Sequence, residues 1–218
     1  MEQTDIWSIN PSTSATFFKT AATVTGGTFP RALTLTNTNP VVAKEGAGYR
    51  LVFTSAGNDS GITFTINGAV VGNLVDGASA VNYPEVVTGG NAGAVNSVYY
   101  YSRIDSIVIS GAAAGTVSVG TTGDLALPRC RVKGFYIVSA AGAGSLKIDR
   151  HTHTTTNGTP TTVTAGIAEN ILDITTPGGV TLTQFLSLPG QGILTGKQQN
   201  DFSVVVATTL TDFTLFCA

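Results

Sequence analysis

Charge is what this sequence has least of. Only 11% of its 218 residues are Asp, Glu, Lys or Arg, and the formal net charge is −2; an average soluble domain carries roughly 25% charged residues. So few Lys and Arg offer little to neutralise a phosphate backbone, and no nucleic-acid partner is expected. Histidine is limited to His151 and His153. Since imidazole is the usual proton carrier near neutrality, general acid–base chemistry has almost no carrier here. The two cysteines, Cys130 and Cys217, are too few for a disulfide framework and are either a pair or two buried thiols. A single Trp, Trp7, gives no aromatic platform for sugars. No run approaches the roughly 18 apolar residues of a membrane span, so no membrane partner is expected. Residues 1–10 lack the basic-then-apolar layout of a secretion signal, which leads to the expectation of a soluble product made in the cytoplasm.

What is present is β-sheet texture. Hydrophobic residues make up 42% of the chain, and they recur with period two. The pattern runs through 32–36 (ALTLT), 49–54 (YRLVFT), 62–66 (ITFTI), 106–110 (SIVIS) and 116–120 (TVSVG). It resumes in 131–139, 145–148, 172–175, 181–186, 203–207 and 210–217. Val, Ile, Thr and aromatic residues fit a pleated, half-buried surface, and Gly, Asn, Asp and Ser clusters close each run as turns. No window keeps an apolar stripe at helical spacing, and the best one, 165–173, is short and contains Gly166. The expected fold is all-β, with two tandem antiparallel β-sandwich domains of jelly-roll or Ig-like type. The polar stretch 121–124 (TTGD) reads as a turn between them, giving an extended N-terminal arm at 1–30, a first sandwich at 31–124 and a second at 125–218. The basic residues Arg129, Arg131, Lys133, Lys147 and Arg150 gather in the second half, either to face an acidic partner or to deter pairing of strand edges.

Few residues offer chemistry. On a strand His151 and His153 would share one face, and they are the sole metal-ligand candidates, although no Cys or third His stands nearby. Asn58-Asp59-Ser60-Gly61 has the look of a protease nucleophile segment, yet no His precedes it and its composition is that of a hairpin turn. Residues 190–197 (GQGILTGK) miss the first Gly of a phosphate-binding loop, and Gln198 stands where Ser or Thr should hold magnesium. No catalytic residue, cofactor or resident metal is therefore assigned, and the chain is read as a non-enzyme. The interface candidates are aromatic. Trp7, Phe17 and Phe18 lie in the polar arm, and Tyr99 and Tyr101 share one face of a strand with Tyr100 on the other.

The segments 55–68 (SAGNDSGITFTING), 89–93 (GGNAG), 104–111 (IDSIVISG) and 115–120 (GTVSVG) resemble a module of virion proteins from tailed bacteriophages. Residues 135–140 (FYIVSA), 188–193 (LPGQGI) and 211–216 (TDFTLF) are similar to small β-sandwiches of phage decoration and head-fibre proteins. The resemblance spans about two thirds of the chain. It implies a structural protein located in the virion, on the capsid surface, with the major capsid protein and copies of itself, as a homotrimer, for partners. The expected role is that of a capsid decoration, or cement, protein. The competing readings are a tail component (baseplate, adaptor or fibre subunit) and a carbohydrate-binding module.

Overall fold

The computed structural model describes residues 5–8, 14–37, 47–71, 84–127, 131–139, 142–156, 159–163, 169–178, 181, 183–188, 192–194 and 201–217. Among these residues there are sixteen strands and no helix. In chain order they are β1 (Asp5–Ser8), β2 (Ser14–Thr23), β3 (Arg31–Ala32), β4 (Gly48–Ser55), β5 (Thr63–Val70), β6 (Glu85–Thr88), β7 (Ala94–Ile109) and β8 (Thr116–Leu127). There follow β9 (Arg131–Ser139), β10 (Gly144–Thr156), β11 (Thr159–Val163), β12 (Glu169–Thr176), β13 (Thr183–Ser187), β14 (Ile193–Leu194), β15 (Asp201–Thr208) and β16 (Leu210–Cys217). The expectation of an all-β, antiparallel protein holds. Alternation is its cause: in β4, Leu51 and Phe53 bury completely while Val52 and Thr54 stay half-buried.

One sheet has five strands in the order β1-β16-β9-β13, with β14 also on β9. The other has eleven, in the order β11-β10-β15-β8-β4-β7-β5-β6, with β12 on β10, β2 on β8 and β3 on β7. The long β7 explains how so many strands enclose a core. Its first half pairs with β4 and its second half, from Tyr101, pairs with β5, so the strand carries the sheet around a bend. Across the interior of that bend Phe53 of β4 stacks on Phe64 of β5, with ring centroids 4.9 Å apart. Burying each such ring stabilises the fold by roughly 1.5–3 kcal/mol.

There are two cores. The first gathers Phe18, Leu51, Phe53, Phe64, Tyr101 and Ile107 with their neighbours, and draws Phe202 and Val204 from β15. The second fills the space between the five-stranded sheet (Phe135, Ile137, Phe213, Leu215) and the β8, β10 and β15 part of the other (Leu125, Leu127, Leu146, Ile148, Val205). Thr209, between β15 and β16, holds a φ of 57° and turns the chain from one sheet to the other.

Two details depart from the sequence reading. Residues 121–124 are not a turn between strands but part of β8. Leu51 faces Thr121 and Tyr49 faces Leu125, so β8 spends four residues where β4 spends two. This is a bulge, and Gly123 within it has a φ of 87°, a conformation open to glycine at little cost. Past it the odd-numbered side chains of β8 pass from the first core (Val117, Val119) to the second (Leu125, Leu127). Likewise 1–30 is not simply an extended arm. β2 is a ten-residue strand paired with β8 and buries Phe18 and Lys19, because Phe18 and Val24 fall where the first core needs apolar surface.

Candidate functional site

The five-stranded sheet has an outer face, away from the second core, that carries exposed aromatic surface. Registers put Phe185, Tyr136 and Thr214 side by side on that face, with Phe216 opposite Gly134. Strands two apart lie about 9.6 Å from one another, yet the rings of Phe185 (β13) and Phe216 (β16) meet edge to face at 5.5 Å and 76°. Gly134 of the intervening β9 lies opposite Phe216, and a methyl added there would press on the Leu186 carbonyl oxygen of β13 at 2.7 Å. Phe185 is 61% exposed, one of three large apolar side chains so exposed among the described residues, with Val86 and Val98 on the other sheet. Phe185 lies on the parity of the exposed Thr181 and Thr183, while Leu186 turns toward the second core. A phenylalanine on the polar side of an alternation was therefore a readable signal, and sequence reasoning missed it.

The residues singled out in the sequence do not converge. Tyr99, Tyr101 and Phe18 are buried in the first core and leave no surface for a neighbour. Packing in the first core accounts for the burial of all three: β7 alternates between exposed and buried residues, and Tyr99 and Tyr101 share its buried side there. Phe17 is half-buried against Phe18, ring to ring at 4.9 Å and 84°. Trp7 sits on β1 opposite Leu215; its side chain lies outside the described residues. His151 and His153 fall on one strand, β10; the His151 ring stacks on Phe202 at 5.6 Å, and the His153 side chain is outside the described residues. Among the described residues no group of three or more His, Cys, Asp or Glu gathers. Cys130 lies outside them, as does the side chain of Cys217. Of the basic residues, Lys147 pairs with Asp173 at 3.3 Å on β10 and β12, Arg150 is buried, and Arg129 is outside the described residues.

Buried polar groups serve the fold. Asn58 Oδ1 accepts from the Ser60 amide (3.2 Å) and hydroxyl (2.8 Å), an Asx turn, so Ser60 has a turn partner. Asp59 is 1% exposed and ties this turn to two others: its amide donates to Gly90 O and its Oδ1 accepts from Ala114 N. Glu85 on the edge strand β6 reaches the irregular part of β7. Its Oε1 accepts from Val98 N at 2.5 Å, and its Oε2 from Tyr99 N at 3.2 Å and from the Tyr101 hydroxyl at 2.9 Å. Burial raises the Glu85 carboxyl above its usual range against the pull of these bonds and of Arg50. The Tyr101 phenol is pushed far upward, by burial first and then by Glu85. Tyr100, whose ring meets Phe202 at 5.7 Å, is pushed up to about 12, by burial first and then by Asp124. Burial likewise raises Asp124, opposed by Thr122, Arg50 and His151.

Comparison of the chain with protein-family models, with curated proteins and with solved structures returns no match.

Proposed function

We propose that the chain is a structural subunit of a virus particle, a capsid decoration protein of a tailed bacteriophage built as two antiparallel β-sandwich units. In this reading it binds the major capsid protein on the outside of the assembled head and associates with copies of itself as a trimer. It carries out no reaction. The observation that supports it is the exposed ring of Phe185, packed edge to face on the half-buried Phe216 of an open sheet face. Covering one such ring contributes roughly 1.5–3 kcal/mol, and a sequence with 11% charged residues loses few hydrated ions when another protein covers it. A ligand that binds only the assembled shell stabilises that shell by its binding free energy, and a trimer adds avidity.

The test is cryo-electron microscopy of the particle that carries the protein, together with binding of the Phe185→Asp variant to bare heads. Density over the capsid surface is expected, and the variant should bind at least tenfold more weakly while keeping its melting temperature. Density confined to the tail, with bare capsid three-fold positions, overturns the reading.

A further inference from the structure

β2 and the segment 31–34 are consecutive along the chain but do not pair with one another. β2 bonds to β8, while β3 bonds to β7. The gap left between them is a cavity of about 260 Å³, lined by Lys19, Thr23 and Val24 on one side and Arg31, Leu33 and Thr34 on the other. Among the described residues both of its charged side chains are cations. Lys19 is only 8% exposed, and among the described residues its one hydrogen bond is from Nζ to the Thr20 carbonyl at 3.2 Å. That bond uses one of its three ammonium protons. Burial lowers its pKa.

Arg31 is held in place. Its guanidinium lies 5.1 Å from the centre of the Phe29 ring, within cation–π range. Close to it is Gly27, at a φ of 97°, where an added methyl would come 3.1 Å from Arg31 Nη1. A glycine that the turn requires thus also makes room for the guanidinium.

Burying a cation without a counter-ion is costly, and a dianion matches two cations where a carboxylate matches one. We propose that this cavity is an oxyanion site that takes a phosphate-class dianion between the Lys19 ammonium and the Arg31 guanidinium. The space is open enough on its solvent side to admit either inorganic phosphate or a small phosphate monoester. The assignment is independent of the decoration reading.

Titration calorimetry with inorganic phosphate and with glycerol phosphate, against chloride at matched ionic strength, tests it. Phosphate stabilises most proteins by exclusion from their surface, so binding heat and not melting is the readout. Saturable binding is expected, weakened at least tenfold in Lys19→Met and in Arg31→Gln. Lys19→Met should also fold at least as stably as the parent in chloride, since the ammonium's one bond among the described residues is to the Thr20 carbonyl. Tighter binding of free phosphate assigns the site to the inorganic ion, and tighter binding of the ester assigns it to a monoester. Heats that match chloride, or that persist unchanged in both variants, overturn the proposal.

Discussion

Glu85 shows how much one side chain can organise. Three donors converge on its carboxylate, and two of them are amides of a strand irregularity that ladder bonds do not serve. Glu85→Gln places an amide NH₂ against one of those N–H groups and should cost about 1–3 kcal/mol of stability in urea unfolding. The pH dependence carries a sign. Because burial raises the folded carboxyl, the native state holds this proton more tightly than the unfolded chain does. The resulting stabilisation is complete below the unfolded-chain value and disappears as pH climbs through the raised one. The gap between parent and Glu85→Gln should therefore widen as pH falls from neutrality toward about 4.3 and level off below it. A gap that narrows on acidification refutes this account. None of it was legible in the sequence, where Glu85 is a lone acid thirteen and fourteen residues from the amides it caps. By contrast, the Asn58–Ser60 turn was legible, because its bonds span two residues.

At the scale of elements, strands with clean alternation are where the sequence put them: 131–139 is β9, and 210–217 is β16. The misreading at 121–124 has a physical cause. Thr-Thr-Gly-Asp satisfies the composition of a turn, and it equally satisfies a bulge of the kind that places a glycine at positive φ; only the partner strand decides between them. β2 is hard to read from sequence because lysine and threonine interrupt its apolar residues. Gly123→Ala should cost about 1–2 kcal/mol, since a side chain at its φ of 87° meets its own backbone. Gly93→Ala is the control. There an added methyl would stop 3.7 Å from the Asn91 carbonyl oxygen, and stability should change by less than about 0.5 kcal/mol. Equal losses in both, by chemical denaturation, would remove the bulge from the explanation.

Across the whole molecule, the two cores have strands in common. β8 gives Val117 and Val119 to the first and Leu125 and Leu127 to the second, and β15 gives Phe202 and Val204 to one and Val205 to the other. Residues 1–124 and 125–218 produced as separate chains should therefore each lose cooperative melting, while the intact chain unfolds in a single calorimetric transition. Two independent transitions in the intact chain would contradict this. Phe185 stands out within its own strand, but its pairing with Phe216 and the cavity depend on which strands are neighbours, and alternation within one strand does not encode that. The continuity of β8 also has a mechanical meaning. Its last residues are bonded to β4 on one edge and to β15 on the other, and the cores lie along its length. A pull that draws the cores apart runs down the strand and loads those backbone bonds together in shear, where a hinge between the halves would let them unzip one by one.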